Sequence, residues 1–556
     1  MKLNLKLNNI FITAFLLPIT IGVFLRFYNL NWGAPYYFHP DERNIASSVT
    51  RLEFPENLNP EFFAYGTLPI YSIYGIGLFQ NFISSMATEQ SFSLSVSFEQ
   101  AIIISRIISA IFSSLLILLI AYSLRKKLGV WYSLLGLSLA AFNVGFIQYA
   151  HFGTFEIWLA FLFFLLYMSL LEYIKNKKLF QLVLSGVLLG LLIAVKISSI
   201  IILPIILIII FWREYKLSAK KSVLATLKKN LLLSVFLLFI SGFVVFITFP
   251  YLFFDINSFL QSMGYESGVA LGTIAVFYTG GFAETVSIVY QLGFVYPFLV
   301  NPVILIFFLL FLPSMLLYIR KTHNKLVIFI LIFSLAIFIS QAFLYVKWTR
   351  YYVPTIPFII IATIYGFKIF IEGIKHKKLK TPIALIIVVL LISSSIIYSL
   401  SYFFTVTDKP FTTVTASAFA ESTIPKNAKI ISEIYDLGII PFNKNFKNIT
   451  LFDFYALDDR WNRESKREEL DNLIENSDYL ILPSQRILRN RMLYPDKFPE
   501  GNAFYSNLQT DKFELIYETP CDLFCKILYV GDPIFNIEET ANVFDRPFVM
   551  IFKINK

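Results

Sequence analysis

Apolar stretches of about 18 or more residues, each long enough to cross a hydrocarbon core of roughly 30 Å as a helix, recur along this chain from Asn9 to Ser401. A water-soluble core has no use for so many. Of the 556 residues 57% are apolar and 15% charged, and the mean hydropathy is +0.67, so lipid is the solvent for most of the chain. About eleven spans are expected, near 10–28, 102–124, 130–148, 153–173, 180–195, 197–212, 230–250, 291–319, 326–345, 352–372 and 381–403. Phe180 to Trp212 is too long for one ordinary span, and two spans with Lys196 at the turn spare that lysine the membrane centre. The first stretch carries Lys2 and Lys6 without a small-residue cleavage site after Phe27, so it is expected to stay as an anchor.

The formal charge of +10 raises nucleic acid as a partner, but the basic residues gather in short segments between apolar runs, which is topology rather than a binding face. With the N-terminus cytoplasmic, the inner segments are Arg125-Lys126-Lys127; Lys175, Lys177 and Lys178; Arg213 through Lys229; Arg320, Lys321 and Lys325; and Lys375 through Lys380. The opposite segments, 149–152, 251–290 and 346–351, hold only Lys347 and Arg350, as the positive-inside rule requires. Counting Leu68 to Met86 as a further span would reverse every later loop. That run is therefore expected at the outer interface or dipping partway, with Pro69, Gly75 and Gly77 making it irregular.

From about residue 404 onward the composition changes, and an odd number of spans places this tail outside the cell. Asp458-Asp459-Arg460 and Arg463 through Glu469 are charged, while Lys429-Ile430-Ile431, Tyr479 through Leu482 and Phe548 through Ile551 read as strands, with a helix over 467–476. The expected division is a membrane body at 1–403 and a soluble α/β or α+β domain at 404–556, of about 150 residues. The two cysteines, Cys521 and Cys525, both fall in that tail. They fit a local disulfide in an oxidising compartment or a pair of buried thiols equally well.

Just beyond the first span stands Tyr36-Tyr37-Phe38-His39-Pro40-Asp41-Glu42-Arg43. In its plain reading this is a polar loop with Asp41 capping a helix that starts near Glu42. A positioned carboxylate can instead take the proton of an acceptor hydroxyl during group transfer. Lys196 and Arg350 sit at the outer ends of spans, where a cation either snorkels to head groups or meets a phosphate; Arg350 has the fork for a two-point contact. Arg106 is a further phosphate contact or a partner of Glu99. The loop from Tyr251 to Tyr290, with Asp255, Tyr265, Glu266 and Glu284, is a lid over a site or a passive surface.

Taken in order, His39-Pro40-Asp41-Glu42, Tyr65-Gly66-Thr67-Leu68-Pro69, Gln148 through Phe152 with Glu156, Gly190 through Lys196, and Thr349-Arg350-Tyr351-Tyr352-Val353-Pro354 resemble the external segments of GT-C superfamily membrane glycosyltransferases. The branch most similar is the bacterial one related to protein O-mannosyltransferases and lipid A aminoarabinose transferases, glycosyltransferase family 39-like. Ile424 through Ile430 and Glu539 through Pro547 resemble the external domain of its bacterial members. Glu156 departs from the Asp usual at that turn.

The resemblance implies a multi-pass cell-membrane enzyme that moves a sugar, hexosyl or pentosyl, from a polyprenyl- or dolichyl-phosphate donor to a protein, lipid or glycan acceptor on the extracytoplasmic side. Nucleic acid is no partner, and no cofactor or metal is implied. Asp41 is the expected base with Glu42 beside it; Arg350, Lys196 and Arg106 are expected on the donor phosphate; His39, His151, Glu156, Tyr351 and Glu266 are candidate substrate contacts. The competing readings are a transporter or flippase of lipid-linked sugar, disfavoured by the absence of recognisable inverted repeats, and a non-catalytic cell-surface scaffold.

Overall fold

The computed structural model describes residues 2–88, 91–176, 178–217, 223–433, 446–459 and 461–556. Lys177, residues 218–222 of the basic segment and Arg460 lie outside the described residues. The chain is a polytopic helical membrane protein with a C-terminal sheet domain. Among the described residues eight helices are long and apolar enough to cross a membrane, or nine counting one bent pair, and shorter apolar helices lie at Thr13–Phe27, Leu179–Val195 and Gln291–Val300.

Breaks fall where the sequence supplies polar groups to receive them. Val130–Ala141 and Val144–His151 meet at 48°, where the Asn143 side chain accepts from Phe146 N at 2.9 Å and donates to Leu299 O at 3.0 Å. The bend exposes carbonyls, and Arg26, fully buried, takes them: its guanidinium donates to Ala140 O and Ala141 O, both at 2.9 Å. A satisfied cation thereby closes the gap that helix ends leave. The segment expected as one span over 291–319 also breaks, at Asn301, whose side chain caps Pro302–Thr322 by accepting from Val303 N at 2.8 Å. Lys196 stands at the expected turn: Leu179–Val195 ends, Lys196 is extended, and Ile197–Ile202 resumes as a 3₁₀ turn.

Two expectations fail. Thr67–Thr88 is one continuous helix, not an irregular segment. Pro69 sits in its first turn, where a missing N–H costs nothing, and Gly77 admits Val96, whose Cγ2 would stand 2.6 Å from an added Cβ. The stretch from Tyr251 to Tyr290, expected as a loop, is not one throughout. It carries the helix Ile256–Leu271, begun by Asp255 and ended at Gly272, which adopts φ +77°.

After Lys377–Tyr402 the chain enters a five-stranded sheet of β1 (Ile430–Glu433), β2 (Ile449–Phe452), β3 (Tyr479–Leu482), β4 (Phe513–Glu518) and β5 (Met550–Ile554), ordered β2-β1-β3-β5-β4. β1 pairs in parallel with β2 and β3; β5 is antiparallel to β3 and β4. The expected helix is present as Arg463–Asn476. Cys521 and Cys525 are joined in a disulfide.

Glu433, at the end of β1, is buried and accepts from Tyr505 OH at 2.8 Å. Burial pushes its carboxyl up to about 8, against the Tyr505 bond and the Arg491 charge. The folded state therefore holds a proton that the unfolded state releases, and stability falls as pH rises from the ordinary carboxylate range through about 8. Glu433→Gln is expected to raise the thermal midpoint at pH 8.5 and leave it unchanged at pH 4. A gain of the same size at both values would sink this account.

Candidate active site

A cavity of about 800 Å³ lies where the helices meet the sheet domain, and Asp41, Tyr65, Lys196, Glu266, Arg350, Tyr351 and Arg486 line it. Asp41 reaches it because the helix Pro40–Thr50 starts two residues earlier than expected, with proline at its first position and no side-chain bond from His39. Asp41 therefore caps nothing; it lies in the first turn, where the helix dipole favours a carboxylate. Consecutive helical residues point about 100° apart, so Asp41 and Glu42 face different surroundings.

Asp41 forms an ion pair with Arg350, each side chain 21% exposed, and Tyr65 OH lies 3.5 Å from Asp41 Oδ2. Burial pushes the Asp41 carboxyl up, but Arg350, with His39, Lys196 and Arg486, more than offsets it and holds the group below the usual carboxylate range. Burial pushes the Glu266 carboxyl up, against Arg350 and Lys196. Lys196 Nζ lies 4.7 Å from the Tyr351 ring centroid and 5.7 Å from that of Tyr65, and the Arg350 guanidinium lies 4.5 Å from the Trp348 ring. Aromatic faces thus hold both cations without neutralising them.

The sequence gives no sign of what fixes Arg350. Glu538, fully buried, accepts from Thr349 N at 2.8 Å and Thr349 Oγ1 at 2.7 Å, and also from Thr540 N and Oγ1. Its own N–H donates to Phe294 O at 2.8 Å. The residue before Arg350 is thereby pinned to the sheet domain. Arg486, from the helix Arg486–Leu493, lines the cavity and pairs with Glu539 at 2.9 Å. Neither contact was legible, because both join segments far apart in sequence.

Other expected residues stand elsewhere. Glu42 and Arg106, expected as catalytic neighbour and phosphate ligand, form a fully buried pair with Nε–Oε1 at 2.9 Å and Nη2–Oε2 at 2.6 Å. Arg106 also donates to Leu30 O and Trp32 O, and Gly153 N donates to Glu42. Every contact turns inward, so the pair fastens the first loop to two spans and does not line the cavity. Glu99 binds Tyr37 OH at 2.7 Å instead. Arg106→Ala is expected to cost about 3–5 kcal/mol by stranding a buried carboxylate, and Arg106→Met with Glu42→Gln less than the two changes summed. Thermal unfolding in detergent checks this; additive losses would count against it.

His39 is packed between Phe152 and Phe544, ring centroids 4.6 and 4.5 Å away, and forms part of the cavity's backing rather than its lining. The two ring nitrogens of His151 lie 2.8 Å from Ile147 O and Tyr28 O, away from the cavity. Glu156 lines a narrow extension shared with Lys196, Arg350 and Tyr351, and neither carboxylate oxygen has a hydrogen-bond partner among the described residues. Lys347 donates to Tyr345 O at 3.0 Å. Among the described residues no three His, Cys, Asp or Glu side chains gather as a metal site.

No family model and no curated protein matches the sequence. Among solved structures, the protein superposes on the archaeal oligosaccharyltransferase AglB from Archaeoglobus fulgidus in complex with an inhibitory peptide and a dolichol-phosphate. The TM-score is 0.52 at 12% identity, over 98% of this chain and 88% of that one. The apo form of that enzyme gives a TM-score of 0.52 at 11% identity, over 98% and 88%. ArnT from Cupriavidus metallidurans in the apo state is matched at a TM-score of 0.44 and 12% identity, over 91% and 96%, too distant to carry an argument. The chain therefore shares the fold of the archaeal oligosaccharyltransferase AglB over nearly its whole length.

Proposed function

We propose that the protein is a membrane glycosyltransferase that moves a sugar from a polyprenyl- or dolichyl-phosphate donor to a nucleophile on an acceptor. The observation that carries this reading is the convergence of Asp41, Lys196 and Arg350, from three separate segments, on one cavity in a fold whose solved example holds a dolichol-phosphate and an inhibitory peptide. In this reading residues 1–403 bind and activate the donor, and 404–556 close the acceptor side. The N-terminus is cytoplasmic and the cavity extracytoplasmic.

The acceptor nucleophile attacks the anomeric carbon, the bond from that carbon to the phosphate oxygen breaks, and the lipid phosphate leaves with the bonding pair. Asp41 takes the acceptor proton. Arg350 and Lys196 meet the charge that grows on the leaving phosphate, the interaction that speeds such a step most. The narrow extension, walled by Leu159, Phe163, Ile201 and Ile337 beside Lys196 and Arg350, puts an apolar surface next to the two cations. Arg350 links the two tasks. Unliganded, it holds Asp41 a weak base; an arriving phosphate draws the guanidinium onto itself, and Asp41 becomes the stronger base as the donor seats.

Membranes containing the protein, supplied with radiolabelled polyprenyl-phosphate mannose, glucose and aminoarabinose and a membrane extract as acceptor source, are expected to transfer label from at least one donor. No transfer from any donor, with the protein folded and inserted, would overturn the reading.

A further inference from the structure

A second cavity, of about 270 Å³, lies between the ends of the first and last spans and the segment around Asp545. It shares no lining residue with the larger one. The packed rings of Phe152, His39 and Phe544, the first pair edge-on and the second tilted, stand between them; Phe152 lines the small cavity and Phe544 the large one.

Its polar groups are incompletely used. Asp545 is 7% exposed. Its Oδ2 accepts from Gln148 Nε2 at 2.9 Å and Tyr402 OH at 2.8 Å, while Oδ1 has no hydrogen-bond partner among the described residues. Thr407 Oγ1, on a residue 5% exposed, also has none. Asn29 donates its amide to Thr407 O at 2.9 Å, and Asn31 Oδ1 lies 3.1 Å from Tyr37 OH, whose one proton goes to the nearer Glu99, which leaves the Asn29 oxygen and an amide N–H of Asn31. Lys409 lines the same space and forms no ion pair among the described residues. A buried polar atom without a partner costs about 1–3 kcal/mol, so two beside one cavity point to something that completes them.

We propose that this cavity is a saccharide-binding site for one uncharged sugar unit, separate from the donor cavity. The chemistry selects that class. Acceptors on Asp545, Thr407 and Asn29 share one cavity with donors on Asn31 and Lys409, and a hydroxyl both donates and accepts. A phosphate or carboxylate would meet Asp545 at close range, and a cation would meet Lys409. Phe152, Phe411 and Val414 supply apolar wall for the C–H face of a ring. The volume stands just below the range of about 300–1,000 Å³ for ligand clefts, right for one ring and too small for a lipid-linked donor.

The test is saturation-transfer NMR on the full-length protein in detergent with free glucose, mannose, galactose and N-acetylglucosamine in turn. At least one sugar is expected to bind in the millimolar range. Binding should be lost in Val414→Trp, which fills the space without removing a polar group, and weakened about 10-fold in Asp545→Asn. Arg350→Ala should leave it unchanged. Saturation of no sugar, an undiminished signal in Val414→Trp, loss in Arg350→Ala, or displacement of the sugar by inorganic phosphate would each overturn the proposal. If Val414→Trp does not fold, Asp545→Asn and Thr407→Val decide by the same signal. Because the signal is binding, it stands or falls independently of sugar transfer.

Discussion

Asp41→Asn is expected to lower sugar transfer by about 10²–10⁴-fold, the range of a positioned general base, while the protein still inserts and folds. Asparagine keeps the side chain's size and its place in the first turn of Pro40–Thr50, but cannot take the acceptor proton. The pH profile separates loss of a base from loss of a partner for Arg350. Transfer requires Asp41 ionised, so in the wild type it falls as pH drops through the Asp41 pKa. In the free protein Arg350 and the neighbouring cations hold that pKa below the usual carboxylate range, so the acid limb of kcat/KM should lie at low pH. The limb of kcat reports the donor complex. There the phosphate shares Arg350, and the limb should lie at higher pH. Coincident limbs would mean that Arg350 does not leave Asp41 when donor binds. Full transfer by Asp41→Asn would remove Asp41 from the base's role.

What the sequence made legible was what lipid and helix geometry dictate locally. Apolar length marked the spans, and the cost of a lysine at the membrane centre placed the turn at Lys196. Asp41 and Arg350 stood out because charge flanking a span needs a reason, and the structure brings the two together. Glu42 and Arg106 carried the same signal for a different reason, since a fully buried ion pair and a phosphate site draw on the same residue types. Only the direction of the side chain tells them apart, and direction depends on where the helix begins. The Thr67–Thr88 helix was misread because Pro69 and Gly77 count as breakers until the first turn and the Val96 contact are seen. Glu538 and Arg486 had no local signature at all. Their partners, Thr349 and Glu539, lie 189 and 53 residues away, and one sequence carries no record of such pairings.

Arg350 is the second position of large effect. Arg350→Ala is expected to lower kcat/KM by about 10²–10³-fold, the loss on removing one preorganised contact to developing charge. Arg350→Lys should recover only part of it, because an ammonium lacks the planar fork. Lys196 supplies a second cation in the same cavity, so transfer should not vanish in either variant. Glu538 is the control on this argument. It does not itself line the cavity; its carboxylate holds the N–H and hydroxyl of Thr349, beside Arg350, and those of Thr540, a lining residue. Glu538→Gln should therefore lower kcat more than it raises KM, by a smaller factor than Arg350→Ala. In the Arg350→Ala background it should add little, because the group it positions has gone. Equal factors in both backgrounds would show that Glu538 only stabilises the fold. Non-additivity would place the sheet domain in the catalytic step, since the carboxylate that holds the residue beside Arg350, the arginine proposed to meet the phosphate, comes from the far end of the chain.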